Sequence, residues 1–212
     1  MEILPGYAYH VKNSYFAFAK DPFLMQNKED GNYRPTLYCV KDEATDLYWM
    51  VPITSQYEKF SAIREKIVNS GKQCKGIVLG EYDGCKAAFL IQNMFPVTKE
   101  YIDHIHTKNG NPVPVKRELQ KKIRKNVKSL LALNAKGIKV TFTDITNLEE
   151  MLKGCRKNEQ EIEWKEKTSY DKKTISRKKH PERSRGKRWL PGRQQELLCL
   201  YCRGCVLFCR LC

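Results

Sequence analysis

Two short stretches, Thr36 to Val40 and Tyr48 to Ile53, concentrate β-branched and aromatic side chains, and the polar run Lys41 to Asp46 separates them. Such residues fit a pleated, half-buried surface, so the pattern predicts a β-hairpin. Pro52 cannot donate to a ladder, and the second strand is expected to end or lie at an edge there. Thr54 and Ser55 then sit at a strand end. Ser55 and Glu58 have the spacing of a capping box ahead of a helix over about Tyr57 to Asn69. A capping hydroxyl at a helix N-terminus also lies where backbone N–H groups favour a phosphate, so a structural and a phosphate-binding role are compatible.

Further apolar runs, Val78 to Gly80 and Ala87 to Met94, flank the turn signal Glu81-Tyr82-Asp83-Gly84 and predict a second hairpin. With Tyr7 to Val11 and a closing strand over Lys139 to Phe142, the chain reads as α+β with five or six short strands. That number suits a small barrel or a strongly curled sheet. Pro96 to His104 is expected to form a short helix. Val115, Leu119, Ile123, Val127, Leu130 and Leu131 recur at spacings of three or four, predicting a long amphipathic helix from about Val113 to Ala135. Thr146 or Asn147 is expected to cap a last helix.

Charge changes the picture. Lys and Arg number 39 against 24 Asp and Glu, a net of +15, which favours an anionic partner such as nucleic acid. On the long helix Lys116, Arg117, Lys121, Lys122, Arg124, Lys125 and Lys128 are relieved by Glu118 alone. Such a face is either simply solvated or lies against an anion; its self-repulsion favours an RNA-contacting face.

Residues 154–212 hold 16 of the basic and 7 of the acidic residues; Lys157 to Arg193 is polar and without apolar periodicity, and the whole stretch is expected to form a disordered or non-native extension of a domain spanning residues 1–153. Cys199, Cys202, Cys205 and Cys209 have the C-x2-C-x2-C-x3-C spacing of a cluster-binding run, but Arg210 stands where Pro is expected and no second run exists. Zinc could bind four thiolates too, yet nothing upstream supplies a scaffold, and an unselected extension is the preferred reading. Neither a secretion signal nor an apolar run of the roughly 20 residues that span a bilayer is present, and the scattered Cys39, Cys74, Cys85 and Cys155 suggest no disulfide framework. A reducing, cytoplasmic setting is expected.

Arg34-Pro35 opening one strand and Val51-Pro52-Ile53-Thr54-Ser55-Gln56 closing its partner resemble the signature of the MazF and Kid endoribonuclease toxins. The longer layout is more similar to the ToxN/AbiQ family of type III toxin–antitoxin endoribonucleases and, within it, to the CptN group: Tyr9 early, a helix after Thr54-Ser55, a long basic helix, and Thr143-Asp144-Ile145-Thr146-Asn147-Leu148-Glu149. The resemblance covers residues 1–153. It implies an SH3-like barrel with inserted helices, a metal-independent, sequence-selective ribonuclease leaving a 2′,3′-cyclic phosphate, and no cofactor. It also implies a role in phage defence, cellular RNA as substrate, and inhibition by a small pseudoknotted RNA antitoxin in a hetero-oligomeric protein–RNA assembly.

Residue by residue, the resemblance makes Thr54 and Ser55 the hydroxyl pair, puts Arg34 where the family usually has Lys, and matches Tyr9 and Tyr33 to aromatic hydroxyls near the site. The family's lysine after the hydroxyl pair is displaced here to Lys59. Attack of a ribose 2′-OH on phosphorus needs a proton acceptor, a donor for the departing 5′-oxygen and positive charge at the phosphate. Arg34 is expected to supply the charge, Ser55 and Thr54 to orient oxygens, and Lys59 or Tyr9 to move protons. His104 and His106 flank Ile105 and His10 follows Tyr9, so at most one of these histidines is expected at any site. Rival readings are a non-catalytic binder of structured RNA and a metal-dependent regulator acting through the Cys-rich tail.

Overall fold

A computed structural model describes residues 2–27, 33–155 and 161. The Cys-rich run and the basic tail lie outside the described residues. The strands are β1 (Ala8–Val11), β2 (Thr36–Asp42), β3 (Leu47–Thr54), β4 (Ile77–Tyr82), β5 (Cys85–Leu90), β6 (Phe95–Val97), β7 (Ile102–Ile105), β8 (Thr107–Lys108) and β9 (Asn111–Pro112). The helices are α1 (Asn13–Ala19), α2 (Tyr57–Asn69) and α3 (Arg117–Asn134), and residues 145–155 are helical as well. No helix among the described residues is long and apolar enough to cross a membrane.

Both predicted hairpins form. They join into one antiparallel sheet of order β4-β5-β3-β2-β1-β7, with β6 also on β3 and a separate β8-β9 pair. β3 is buried along its whole length because both its faces are covered. Trp49, Val51 and Ile53 face Ile123, Val127 and Leu130 of α3, while Tyr48 and Met50 pack with α1 and with Leu148 and Leu152. Alternate residues of a strand point to opposite faces, so one strand supplies two cores.

The second edge of β3 is divided: Tyr48 to Met50 pair with β6, and Ile53 and Thr54 with β5. Pro52 falls in the gap. The Ile53 N–H bonds the Pro35 carbonyl at 3.0 Å, so the alternate residue Pro52 turns its nitrogen away from β2 and into that gap. Pro52 therefore sits inside a central strand rather than at the edge or end that its chemistry suggests. The strand exchange curls the sheet, but β4 and β7 stay unpaired with each other, so it does not close into the expected SH3-like barrel.

Pro96 to His104 is not a helix. Phe95–Val97 pairs with β3 and Ile102–Ile105 with β1, with only a 3-10 turn between, because distant partners override a short local preference. Lys139 to Phe142 is not a strand either: the Phe142 N–H bonds the Gln92 carbonyl at 2.8 Å outside the ladder. α1 has no counterpart among the predicted elements; it closes one core with Tyr15, whose hydroxyl donates to the Pro96 carbonyl at 2.7 Å.

Helix α2 has its expected limits but not its expected cap. Gln56 precedes it with no side-chain capping bond, and the Ser55 carbonyl accepts from Tyr57 N–H at 2.7 Å. The last helix is capped two or three residues earlier than expected, by Asp144 Oδ1 accepting from Asn147 N–H at 3.1 Å. α3 begins at Arg117, since Val113 to Lys116 run extended and Val115 N–H bonds the Gly6 carbonyl at 2.9 Å. A Cβ on Gly80 would lie 2.5 Å from Leu119 Cδ2, so glycine there lets α3 approach β4.

Candidate active site

A cleft of about 440 Å³ opens where the C-terminal end of β3 meets the β4–β5 hairpin. Its walls include Tyr33, Arg34, Thr54, Ser55, Tyr82, Asp83, Lys86 and His106. Four of the six expected active-site residues are thus brought together. The remaining two, Tyr9 and Lys59, do not line it.

Arg34 is set by the segment leading into β2. Asn27 Oδ1 accepts from the Arg34 N–H at 3.0 Å, while Asn27 Nδ2 donates to the Val11 carbonyl and to Asn13 Oδ1, both at 2.8 Å. One amide therefore ties the arginine's backbone to the end of β1. The guanidinium is partly buried, donates from Nη1 to the Ile53 carbonyl at 3.4 Å, and leaves a buried Nε without a partner among the described residues. Burial lowers its pKa, yet an arginine stays charged in proteins. A fixed cation with unspent donors is suited to a phosphate.

The hydroxyl pair divides into an inner and an outer member. Thr54 is buried, and its Oγ1 accepts from Gln56 N–H at 3.3 Å as the chain leaves the strand. Ser55 is exposed, and its hydroxyl makes no hydrogen bond among the described residues. Lys59 points outward on α2, with Nζ 5.6 Å from the Phe60 ring centroid. The lysine of the cleft is instead Lys86 on β5, held 3.5 Å from Glu58 and 5.2 Å from the Tyr57 ring centroid. Tyr9 is wholly buried; its hydroxyl accepts from Leu4 N–H at 2.7 Å and faces the Leu4 carbonyl at 3.3 Å.

The three histidines gather in one cluster, of which one member reaches the cleft. β1 and β7 pair with Tyr9 opposite Ile105. Residues 10, 104 and 106 therefore have the opposite parity and share one face. His10 Nε2 lies 3.0 Å from His106 Nδ1, and its ring stacks on His104 with centroids 4.5 Å apart. Tyr33 stands edge-on to His10 at 5.8 Å, and Tyr82 lies 5.5 Å from His106. No three His, Cys, Asp or Glu among the described residues are arranged to hold a metal ion. His106 alone of the trio lines the cleft.

Asp83 brings a carboxylate to the same wall. With Gly84 it forms a two-residue turn with φ of 55° and 78°, the left-handed pair that a tight hairpin needs. Its Oδ1 pairs with Lys108 Nζ at 2.9 Å, and Oδ2 stands 3.9 Å from His106 Nε2. Burial presses the His106 pKa down, with Asp83 pulling against it. Burial and then the neighbouring His104 and His106 bring His10 down to about 4, so it is neutral at pH 7. Asp83-Gly84 is legible in the sequence as a turn, and an i, i+2 pair of histidines as one strand face. Neither reveals the cleft until β7 is seen as a strand.

The seven expected RNA-contacting residues, Lys116, Arg117, Lys121, Lys122, Arg124, Lys125 and Lys128, are all exposed on or just before α3. Lys121 pairs with Glu118 at 3.0 Å, and Lys116 with Glu81 of β4, one residue before Tyr82. The second pairing spans elements remote in sequence and ties the start of the basic face to β4.

No protein-family model and no curated protein matches the chain. Among solved structures, one similar chain is AbiQ, described as a lactococcal anti-phage endoribonuclease belonging to the type III toxin–antitoxin system. It superposes with a TM-score of 0.55 at 15% identity, covering 71% of this chain and 98% of AbiQ. A mycobacterial endoribonuclease solved in complex with its cognate antitoxin matches at a TM-score of 0.37 and 14% identity, over 62% of this chain and 97% of its own. The curled antiparallel sheet with its flanking helices is an AbiQ-like fold.

Proposed function

We propose that residues 1–153 form an endoribonuclease toxin of a toxin–antitoxin system. The observation that carries this reading is the convergence of Arg34, Thr54 and Ser55 with His106, Asp83 and Lys86 in one cleft. Cation, hydroxyls and a titratable ring are the groups that transesterification of RNA requires. The AbiQ-like fold supports the assignment.

In this reading Arg34 holds the non-bridging phosphate oxygens, helped by the Ser55 hydroxyl, while Thr54 shapes the end of β3. The ribose 2′-oxygen attacks phosphorus, the 5′-oxygen leaves, and a 2′,3′-cyclic phosphate remains without need of a metal ion. Tyr33 offers a face for a flanking base, and the α3 face holds the strand or a structured inhibitor RNA. A type III arrangement follows: a small pseudoknotted RNA antitoxin covers the cleft in a hetero-oligomeric assembly in the cytoplasm, and its loss during phage infection frees the toxin.

The test is cleavage of a randomised RNA pool by the purified protein, with product ends identified by mass. Cyclic phosphate ends that persist in chelator are expected, and Arg34→Ala and Ser55→Ala should each abolish them while the protein stays folded. Binding without products, or full cleavage by both variants, sinks the reading.

A further inference from the structure

We propose that His106 accepts the proton of the attacking 2′-hydroxyl, with His10 and Asp83 as its positioning residues. The inference rests on the endoribonuclease reading and deepens it. The resemblance singles out no base and offers Lys59 or Tyr9 for proton transfer, neither of which lines the cleft.

Among the wall residues that could take a proton, which include Tyr33 and Cys85, His106 is the one held between two polar side chains, His10 and Asp83. Asp83 is held by Lys108 at 2.9 Å. Lys86 is a cation, Tyr82 is a phenol whose burial raises its pKa, and Arg34 cannot give up its proton. His104 is bound to its neighbour Asp103 at 2.9 Å and lies outside the cleft, as does His10. His106 is partly buried, and burial keeps its ring neutral and ready to accept near pH 7.

The surroundings of the ring suit the role. Nδ1 lies 3.0 Å from His10 Nε2, and Nε2, on the other edge of the ring, lies 3.9 Å from Oδ2 of Asp83, itself a wall of the cleft. In the working tautomer Nδ1–H donates to His10, and the Nε2 lone pair is open to substrate. His10, neutral down to about pH 4, remains an acceptor when His106 becomes charged. Asp83, beside the nitrogen that gains the proton, then stabilises the imidazolium by its charge, whereas a triad carboxylate holds the opposite nitrogen. His104 and Lys108 oppose that charge, and Tyr82 borders the ring.

The step balances. The 2′-O–H bond breaks as its proton moves to Nε2, the O2′–P bond forms, and the P–O5′ bond breaks. Water protonates the departing 5′-oxygen, and the hydroxide so formed takes the proton that His106 sheds.

Rates are measured against pH for the full chain, on a sequence taken from the cleaved pool and on the same RNA with sulfur in place of the scissile 5′-oxygen. His106→Gln should slow both substrates alike, by roughly 10²- to 10⁴-fold, and flatten the rise of rate with pH. Asp83→Asn keeps the left-handed turn, which Asn tolerates, and should move the midpoint of that rise down by about one pH unit. Restoration of His106→Gln by the sulfur leaving group would assign an acid role and overturn the proposal. An unchanged pH profile would also overturn it while leaving the endoribonuclease reading intact, whereas a wild-type protein that cleaves no RNA sinks both.

Discussion

His10 Nε2 and His106 Nδ1 meet at 3.0 Å across the β1–β7 pair, joining a buried ring to one that lines the cleft. His10 is 8% exposed and its Nδ1 has no partner among the described residues, so a charged ring would be a buried cation with its Nδ1–H unbonded. That cost appears as a pKa near 4 against an ordinary value of 6.5.

Acid should therefore weaken the fold through His10. Because its folded pKa lies below its unfolded one, the unfolded chain binds more protons between pH 6.5 and about 4. The contribution is complete above pH 6.5 and is lost as pH falls through that window, on the order of 2 kcal/mol. Urea unfolding at several pH values should show His10→Leu losing less stability than wild type over the same range. Parallel pH slopes for the two proteins would reject the assignment.

The same pair shows what the sequence could and could not disclose. Both hairpins and the α3 stripe are readable because each rests on local pattern: turn residues between β-formers, or Ile123, Val127 and Leu130 at helical spacing. Arg34, Thr54 and Ser55 are readable because they flank the ends of one predicted hairpin. His106 is hidden, since its place depends on β7 pairing with β1, more than ninety residues away in the chain. Nothing within Pro96 to His104 announces that partner. Tyr9 misleads for the opposite reason: a hydroxyl beside a strand is legible, but whether it turns toward a cleft or, as here, toward the Leu4 backbone is not.

Tyr9 offers a clean separation of stability from chemistry. Its hydroxyl accepts the Leu4 N–H at 2.7 Å; the ring is buried, while the bond itself is only partly so and Leu4 is exposed. Removing the oxygen in Tyr9→Phe loses that bond, which costs about 0.5–1.5 kcal/mol. The melting temperature should fall accordingly while RNA cleavage at 25 °C stays within about twofold of wild type. A cleavage defect of a hundredfold in a folded variant would restore Tyr9 to the reaction.

Thr54 and Ser55 should respond differently to alanine. Thr54 Oγ1 accepts the Gln56 N–H at 3.3 Å inside a buried strand end, so Thr54→Ala should lower stability by about 1 kcal/mol and activity as well. Ser55 is exposed with no bond to lose, so Ser55→Ala should leave stability within about 0.5 kcal/mol of wild type and remove cleavage only. Paired melting and cleavage measurements decide it. Equal destabilisation by both changes would contradict the division into an inner and an outer hydroxyl.

On α3, Lys122, Lys125 and Lys128 are exposed and make no ion pair among the described residues, whereas Lys116 and Lys121 are partly neutralised by Glu81 and Glu118. If the face holds RNA, the unpaired lysines carry the counterion release. Each lysine withdrawn from a phosphate should reduce the slope of log affinity against log salt by about 0.7 for a single strand. The triple change to Glu should thus flatten the salt dependence by roughly two and weaken RNA binding most at low salt. Melting should shift little, because solvated surface charges contribute little to folding. A matched triple at Lys66, Lys72 and Lys99, away from α3, separates local binding from net charge. Equal weakening in the two triples would show that only the overall positive charge attracts RNA, and the helix face would lose its assignment.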